Sequence, residues 1–364
     1  MTFQNTLTLT LAQQAARTAL AIGREPLDPQ VKRKTILVLQ DFLGCYLEAA
    51  GGPLGSLALA YRNLAQQPCA GARASAPRTD NIDPLVAGIL GHGLIREDMH
   101  VPSGVHPGVV ILPAVLAFTQ ANALTGEALM RGIAAGYHLM GALGIAARAG
   151  LKNRHFRPLG ISGAFGSAAG AIAANPSAVD ESAAVNALAF AANFAAGLNQ
   201  WPWAGGQDIY VHAGMAARNG LVALDLARAG LRSSPDILEG ADGLFAAVGS
   251  SPDAPDLFRR ALSAANCILG VTHKPVAGCN YVQTAAGAAL QLAGMLGARG
   301  TPPIREVTIS TFAAARDYPG CNSIGPFDHV EQRKMSFQYA VSAALRNGRL
   351  DDTAYAGPSD SELQ

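Results

Sequence analysis

The sequence GVVILPAVLAFTQANAL, residues 108–124, is the longest apolar stretch in a chain of 364 residues. A helix that spans a membrane needs about 20 predominantly apolar residues, whereas Pro113, Gln120 and Asn122 interrupt this stretch. The pattern therefore predicts a helix that is buried in a protein core, and we expect no transmembrane segment.

Helical patterns extend from this stretch in both directions. Residues 84–232 are mostly alanine-rich with helical spacing, and residues 28–50 form an amphipathic helix that begins at an Asp-Pro turn. Apolar residues make up 49% of the chain, but aromatic residues only 6%, and 40 residues are glycine. A core of alanine, leucine and glycine lets helices approach closely, so we expect a mainly α fold.

The composition changes in the last third of the chain. Residues 301–311 contain Pro-Pro and then the β-branched alternation of REVTISTF, which predicts a strand. Residues 332–348 return to a helical pattern that an Asn-Gly pair ends. We therefore expect an all-helical domain over residues 1–265 and a smaller α+β domain over residues 266–364.

Charge and cysteine content narrow the class of protein. The formal net charge is +1 and 15% of the residues are charged, which leaves no broad basic surface for nucleic acid. The five cysteines are scattered, without a CxxC pair or zinc-ligand spacing, which favours a reducing compartment. The N-terminal residues do not have the pattern of a signal peptide. We expect a soluble, cytoplasmic protein that binds neither nucleic acid nor a membrane.

The segment REDMHVPSGVHPG, residues 96–108, holds two carboxylates and two histidines among glycine and proline. Neutral histidine suits proton abstraction near pH 7, and Glu97 or Asp98 could orient the imidazole of His100. The segment equally fits a polar loop that caps the following helix, with His106 as a structural residue. A zinc or iron site is a third interpretation. The two histidines are not spaced like the i and i+4 pair of a helical zinc site, so we predict no metal.

Two further loops carry cationic side chains. The sequence KNRHFRPLG places Arg154, His155 and Arg157 before a glycine-rich helix start, where free backbone N–H groups favour a carboxylate. The sequence THKPVAGCNY places Lys274 before a turn that reaches Cys279, and a lysine there could bind a carboxylate or protonate a leaving group. The ordinary alternatives are exposed loop cations and an inert, buried cysteine. The glycines are no dinucleotide-binding fingerprint, because no strand precedes them.

Taken together and in this order, these segments resemble the 2-methylcitrate dehydratase (MmgE/PrpD) family, which includes cis-aconitate decarboxylase and iminodisuccinate epimerase. The resemblance runs from about residue 28 to residue 348. The matching motifs are EDMH (97–100) with HPG (106–108), FRPLG (156–160) with GAFG (163–166), HAGMAARNG (212–220), KP (274–275) with Cys279, and SFQY (336–339).

The resemblance implies a large helical domain, a smaller α+β lid domain with the site between them, and usually a homodimer. The family's reactions remove a proton beside a carboxylate and expel water or carbon dioxide, which requires a base, an acid and fixed cations. We therefore expect a cofactor-free lyase of the hydro-lyase type that acts on a small di- or tricarboxylate. Decarboxylation or epimerisation of a related acid, and carboxylate binding without turnover, stay open as alternatives.

The resemblance also assigns roles to individual residues. His106 is similar to the histidine at the family's reaction centre, and His100 and Asp98 are similar to its acidic-histidine neighbours. Lys274 is similar to the lid lysine that approaches the substrate. These four are the expected catalytic residues, with no metal and no cofactor. The expected substrate-binding residues are Arg157, His212, Cys279 and Tyr318.

Three departures from the family pattern bear on the substrate. Arg157 stands where the family has a histidine, which removes a titratable group and adds a bidentate carboxylate clamp. The family's lysine upstream of His212 has no counterpart in GGQDIY, residues 205–210. Ile95 and Arg96 stand where family members often carry Asp and Phe. These departures argue against 2-methylcitrate itself as the substrate. The chain is also expected to be shorter than family members at its C-terminus, which leaves the lid incomplete.

Overall fold

The computed structural model describes residues 9–65, 81–153, 155–297 and 304–356. These residues form seventeen α-helices, and their only sheet is a two-stranded antiparallel pair. The predicted mainly α fold is confirmed. Among these helices, none combines the length and the apolar character that crossing a bilayer requires.

The helices fall into two groups along the chain. The first group is α1 (Leu11–Arg24), α2 (Pro29–Ala50), α3 (Pro53–Ala65), α4 (Pro84–His92), α5 (Gly108–Ala121), α6 (Gly126–Asn153), α7 (Pro158–Ala174), α8 (Glu181–Asn193), α9 (Trp201–Ala204), α10 (Asp208–Arg228), α11 (Leu244–Ala247) and α12 (Ala254–Ser263). The second group is α13 (Gln283–Gly297), α14 (Ala313–Arg316), α15 (Val330–Met335), α16 (Phe337–Asn347) and α17 (Asp352–Ala356). The strands are β1 (Met99–His100) and β2 (Val271–Thr272). They pair antiparallel, with Met99 opposite Thr272 and His100 opposite Val271, so the loop after α4 is joined to the chain after α12.

Helix α2 begins where its local sequence predicts. Asp28 is the N-cap residue, and its carboxylate accepts hydrogen bonds from the backbone N–H groups of Gln30 and Val31. Pro29 takes the first helical position, where no N–H donor is needed. The helix predicted over residues 28–50 is therefore confirmed.

Helix α7 is the centre of the large core, and it packs against α1, α5, α6, α8 and α10. All of residues 159–174 are buried. Small side chains allow this contact: a Cβ on Gly166 would lie 2.5 Å from Met140 Cβ and 2.9 Å from the carbonyl oxygen of Gly136, both on α6. The apolar stretch that was predicted as a buried helix forms α5, beside α7. The expected core of closely packed small residues is thus observed.

A second, smaller core lies beside the large one. It contains buried side chains from residues 276–355, together with four from the preceding region, Ile95, Trp201, Ile209 and Tyr210. Val271 still belongs to the large core. Side chains from before residue 266 thus contribute to both cores, and the domain boundary placed there stays a prediction.

The strand predicted over residues 301–311 is wrong for the described part of that segment. Residues 304–312 have no regular secondary structure and are mostly exposed, and residues 301–303 lie outside the described ones. A β-branched alternation forms a strand only where a second strand can pair with its backbone groups. No described residue pairs with this segment. In the second region, the β-structure of the described residues is therefore limited to β2.

The helical pattern predicted over residues 332–348 is divided in the structure. Ser336 separates α15 from α16 and caps α16, because its side chain accepts a hydrogen bond from the Tyr339 N–H. Gly348 ends α16 in the left-handed conformation, with φ of 64°, which glycine adopts without steric cost. The predicted Asn-Gly stop is confirmed.

Candidate active site

The loop after α4 connects the large core to the second core. Ile95 in this loop has a φ of 54°, which is rare for a β-branched residue, and its side chain is buried in the second core. Its carbonyl oxygen accepts hydrogen bonds from Lys274 Nζ at 2.5 Å and from the Gly278 N–H at 3.2 Å. These two hydrogen bonds hold the loop against the segment that carries Lys274.

Glu97 is the centre of a buried polar cluster. Its Oε1 lies 3.0 Å from His92 Nδ1, 3.2 Å from His106 Nδ1 and 3.3 Å from Lys274 Nζ. These four side chains and Arg157 are called the Glu97 network below. Burial alone would raise the pKa of Glu97, but the neighbouring His92 and Lys274 hold that pKa well below its usual range. The carboxylate is therefore ionised at neutral pH.

The contacts of His106 assign the proton on its ring. Nδ1 lies 2.8 Å from the carbonyl oxygen of Asp98 and 3.2 Å from Glu97 Oε1, and both of these atoms can only accept a hydrogen bond. Nδ1 must therefore carry the proton, which leaves a lone pair on Nε2. Burial and the neighbouring charge of Lys274 lower the pKa of His106 to about 3. The ring is consequently neutral at pH 7 and able to accept a proton.

His92 connects Glu97 to Arg157. Because Arg157 can only donate, His92 Nε2 accepts a hydrogen bond from Arg157 Nη2, which lies 2.5 Å away. The ring proton is therefore on Nδ1, which lies 3.0 Å from Glu97 Oε1. Burial lowers the pKa of His92, so the ring stays neutral. Arg157 also donates to the carbonyl oxygen of Ile209 at 2.6 Å, and its guanidinium carbon lies 5.5 Å from the centre of the Trp201 ring.

Arg157 is a buried cation, with an exposed fraction of 6%. Burial lowers its pKa to about 10, so it is charged at neutral pH. Among the described residues, its acceptors are a carbonyl oxygen and a neutral imidazole, and no carboxylate forms an ion pair with it. A buried cation without a counterion is costly. The position therefore favours an anionic ligand.

Lys274 is engaged by its neighbours on all sides. Its Nζ contacts the carbonyl oxygen of Ile95 at 2.5 Å, Glu97 Oε1 at 3.3 Å and the carbonyl oxygen of Gly278 at 3.4 Å. An ammonium group has three protons, and these three acceptors account for all of them. Lys274 therefore contacts His106 only indirectly, through Glu97.

Asp98 follows Glu97 in the chain, but its carboxylate points away from the network. Oδ2 accepts a hydrogen bond from the Tyr137 hydroxyl at 2.7 Å, and Oδ1 accepts one from the Gly108 N–H at 3.0 Å, where α5 begins. Burial raises the pKa of Asp98 to about 7, although both hydrogen bonds oppose this effect. The carboxylate thus caps α5, as the capping interpretation of this loop expects. The catalytic role of Asp98 stays a prediction.

His100 also lies apart from Glu97. Its Nδ1 is 2.7 Å from Ser103 Oγ, and its ring packs close to Gly141 and Gly270. Burial lowers the pKa of His100 to about 4. Within the described part of the chain, no hydrogen bond joins its side chain to the Glu97 network. Its catalytic role likewise stays a prediction.

Two of the other expected substrate-binding residues lie near Arg157. The guanidinium charge acts on Tyr318, whose pKa burial raises to about 12. The same charge acts on His212, whose pKa burial lowers to about 4. Cys279 instead lies in the second core, with its Sγ 3.7 Å from Cys321 Sγ. The charge of Arg157 therefore reaches both His212 and Tyr318, whereas Cys279 contacts another thiol.

Sequence reasoning missed His92, and it treated Glu97 only as one of two orienting carboxylates. His92 ends α4 in the motif GHG, and no spacing rule relates it to Glu97 because the chain turns between them. A histidine between two glycines beside the acidic segment was the available signal. Of the other cations in the second loop, His155 is exposed and Arg154 lies outside the described residues. No group of three His, Cys, Asp or Glu side chains in the described ranges is placed to hold a metal ion.

The fold and the Glu97 network define a mainly helical protein with a buried histidine–carboxylate pair flanked by two cations. Residues 13–256 match the family model of the MmgE/PrpD N-terminal domain, and the chain belongs to the MmgE/PrpD family. This family includes dehydratases and related enzymes. A comparison with curated proteins finds no match. The matched region contains His106 and Arg157, whereas Lys274 lies beyond its end.

Proposed function

We propose that this protein is a cofactor-free lyase of the hydro-lyase type that acts on a small di- or tricarboxylate. The observation that carries the proposal is the neutral ring of His106, whose Nδ1 is held by Glu97 and by the carbonyl oxygen of Asp98. This arrangement leaves Nε2 as the base. Membership of a family that includes dehydratases supports the same class of reaction.

In the proposed reaction, His106 Nε2 removes a proton from the carbon beside a substrate carboxylate. The electron pair of the C–H bond forms a carbon–carbon double bond, and the bond from the next carbon to its hydroxyl group breaks. The hydroxide takes the proton from His106 and leaves as water. A bound anionic substrate raises the pKa of His106, because a negative charge favours the imidazolium. His106 is therefore a stronger base in the substrate complex than in the free protein.

Arg157 is the proposed carboxylate clamp. Its buried guanidinium has no carboxylate partner among the described residues, and its planar fork matches a carboxylate. A substrate carboxylate at this position would neutralise the buried charge. His212 and Tyr318, both near Arg157, supply further substrate contacts in this proposal.

Glu97, which was not among the expected catalytic residues, and the other three members of that set are proposed to position His106. The carbonyl oxygen of Asp98 holds its tautomer, and the Glu97 carboxylate, 3.2 Å from Nδ1, stabilises the imidazolium that forms during the reaction. Lys274 keeps Glu97 ionised. Asp98 contributes its carbonyl oxygen and caps α5, and His100 pairs with β2 in the ladder that leads to Lys274.

Solvent deuterium exchange tests the proposal. The protein is incubated in deuterated water with 2-methylcitrate, citrate, cis-aconitate or iminodisuccinate, and NMR follows exchange at carbon and formation of the unsaturated acid. We expect exchange and water loss with a hydroxy acid, at least about 100-fold slower in His106→Gln. The control is His155→Gln, because His155 is exposed. Exchange that survives in His106→Gln would overturn the assignment of the base.

The same experiment separates the remaining candidates. Release of carbon dioxide would identify a decarboxylase, and inversion at the exchanging carbon without water loss would identify an epimerase. Carboxylate binding by calorimetry without any exchange would identify a non-catalytic carboxylate-binding protein. The non-catalytic candidate is favoured by Lys274, because all three of its protons are hydrogen-bonded to groups of the protein and none is left for a substrate.

For the compartment, we propose the cytoplasm. Cys45, Cys267, Cys279 and Cys321 are buried free thiols, and Cys69 lies outside the described residues. Cytosolic reductants keep such thiols reduced. Thiol labelling of the protein after rapid denaturation of the producing cells should find these cysteines reduced, and a disulfide between any two of them would contradict the proposal.

A further inference from the structure

Two buried thiols lie side by side in the second core. Cys279 Sγ is 3.7 Å from Cys321 Sγ, although the two residues are 42 positions apart in the chain. The sulfur atoms of a disulfide are about 2.0 Å apart, so these two need to approach each other by only about 1.7 Å. The fold therefore brings two distant thiols within reach of a disulfide bond.

The surroundings of Cys279 favour its ionised form. Cys279 is the N-cap residue of a short helical turn, Asn280–Val282, that leads into α13. A hydrogen bond from the Cys321 thiol lowers the pKa of Cys279, although burial opposes this effect. The backbone N–H of Tyr281 and the charge of Lys274 lower that pKa further. Since the thiolate is the form that attacks an oxidant, these contacts make Cys279 the more reactive thiol of the pair.

Cys45 and Cys267 provide a contrast within the same chain. Both are buried free thiols, and burial raises the pKa of Cys45 to about 12 and that of Cys267 to about 11. A lower pKa gives a larger thiolate fraction, and the lower nucleophilicity of that thiolate offsets about half of the gain on a logarithmic scale. Cys279 should therefore react faster with an oxidant than either of these thiols.

The pair joins two segments that carry residues of the proposed site. Lys274 Nζ contacts the carbonyl oxygen of Gly278, the residue before Cys279, at 3.4 Å. The Cys321 N–H donates to the carbonyl oxygen of Tyr318 at 3.0 Å. A covalent bond between the two sulfur atoms would thus link the segment that carries Lys274 to the turn that carries Tyr318.

We propose that Cys279 and Cys321 are a redox-sensitive modification site, where a peroxide forms an intramolecular disulfide and a small thiol reverses it. The disulfide limits how far the Lys274 segment and the Tyr318 turn can move apart. In cells that are not exposed to peroxide the pair stays reduced, like the other buried thiols. The site does not depend on the proposed lyase reaction, because the two thiols react without a substrate.

The oxidation takes place in two steps. Cys279 has an exposed fraction of 7% and Cys321 is fully buried, so peroxide meets Cys279 first. The Cys279 sulfur attacks one oxygen of hydrogen peroxide, the O–O bond breaks, and the departing hydroxide takes the thiol proton and leaves as water. The Cys321 sulfur then attacks the sulfur of the resulting sulfenic acid, whose hydroxyl group leaves as a second water with the proton of Cys321. Two thiols lose two electrons, and one peroxide is reduced to two molecules of water.

Mass spectrometric mapping of the thiols tests the proposal in the wild-type chain. The reduced protein is treated with hydrogen peroxide at neutral pH for increasing times, denatured with N-ethylmaleimide to block the remaining thiols, and digested. We expect the peptides that contain Cys279 and Cys321 to become linked with loss of two hydrogen atoms, at least about tenfold faster than Cys267 is oxidised. Dithiothreitol should restore both thiols.

Two single variants test the order of the steps. In Cys321→Ser, peroxide should leave Cys279 as a sulfenic acid that dimedone labels, and no linked peptide should form. Cys267→Ser is the matched control, because it removes another buried thiol and should form the disulfide at the wild-type rate. Far-UV circular dichroism checks that both variants keep their helices, and the wild-type measurement stands without them.

Three results of the wild-type measurement would overturn the proposal. The first is oxidation of Cys45 or Cys267 as fast as formation of the linked pair. The second is a link between Cys279 and Cys321 that forms only after the chain is unfolded in urea. The third is oxidation of Cys279 to sulfinic acid without any link to Cys321, because a neighbouring thiol that can resolve the sulfenic acid prevents this.

Discussion

Removal of the negative charge of Glu97 tests the buried network most directly. In Glu97→Gln the side chain keeps its length, but the carboxylate that contacts His92, His106 and Lys274 becomes a neutral amide. The Lys274 ammonium then remains buried without a counterion. Breaking a buried ion pair by removing one partner costs about 3 to 5 kcal/mol. We expect the free energy of unfolding to fall by that amount at pH 7.

Lys274→Met provides the other side of a double-mutant cycle. This change leaves Glu97 buried with two neutral imidazoles, and we again expect a loss of about 3 to 5 kcal/mol. Independent effects would sum to roughly 6 to 10 kcal/mol in the double variant. Because the double variant removes both members of the Glu97–Lys274 pair, neither charge is left buried without the other. We therefore expect the double variant to lose no more stability than either single variant. The coupling energy should therefore be about 3 kcal/mol or more.

Urea unfolding followed by far-UV circular dichroism measures these energies. Glu127→Gln is the control, because Glu127 forms its ion pair with Arg131 at the surface and is 62% exposed. Exposed pairs contribute less than about 1 kcal/mol. The reasoning is refuted if Glu97→Gln destabilises the protein no more than Glu127→Gln, or if the effects of Glu97→Gln and Lys274→Met are additive.

Three further predictions concern other buried groups. Because burial raises the pKa of Asp98 to about 7, its stabilising contribution is present at low pH and lost as pH rises through about 7, so the wild type should lose stability relative to Asp98→Asn between pH 4 and 7. Urea unfolding measures both proteins across this pH range, and a constant difference between their free energies of unfolding would contradict the prediction. Gly166→Ala should cost about 1 to 3 kcal/mol through overpacking. Gly287→Ala, with open space around it, should stabilise by about 0.5 to 1 kcal/mol, and equal melting temperatures would contradict both. Arg157→Lys should weaken carboxylate binding at least about tenfold in calorimetry, since an ammonium lacks the planar fork, and unchanged affinity would contradict the clamp.

Much of the helical architecture was predictable because helix signals are local. Asp28 caps α2 with its own side chain, and Gly348 ends α16 in a conformation that favours glycine. The buried character of α5 follows from its apolar composition alone. The segment at residues 304–312 has a strand pattern, but a strand depends on a partner elsewhere in the chain. Its sequence could not reveal whether such a partner is present.

The candidate site was predictable as a segment but not as a set of contacts. The loop at residues 96–108 was identified from its acids and histidines, and His106 does join the buried network. Glu97, and not Asp98, supplies the carboxylate to His106, because the Asp98 carboxylate accepts hydrogen bonds from the Tyr137 hydroxyl and the Gly108 N–H. Which carboxylate faces the network depends on what each one packs against. That information lies in residues far away in the chain.

Local periodicity, capping residues and short motifs were therefore sufficient for the fold class, the positions of the main helices and the loop that carries His106. Tertiary structure decided which side chains surround that histidine. It brings Lys274 next to Glu97, although the two residues are 177 positions apart in the chain. Tertiary structure also decided that Lys274 donates its hydrogen bonds to Glu97 and to two backbone carbonyl groups. The physical reason is that hydrogen bonds and desolvation depend on which groups are brought together in space, and for distant segments only the packing of the two cores determines this.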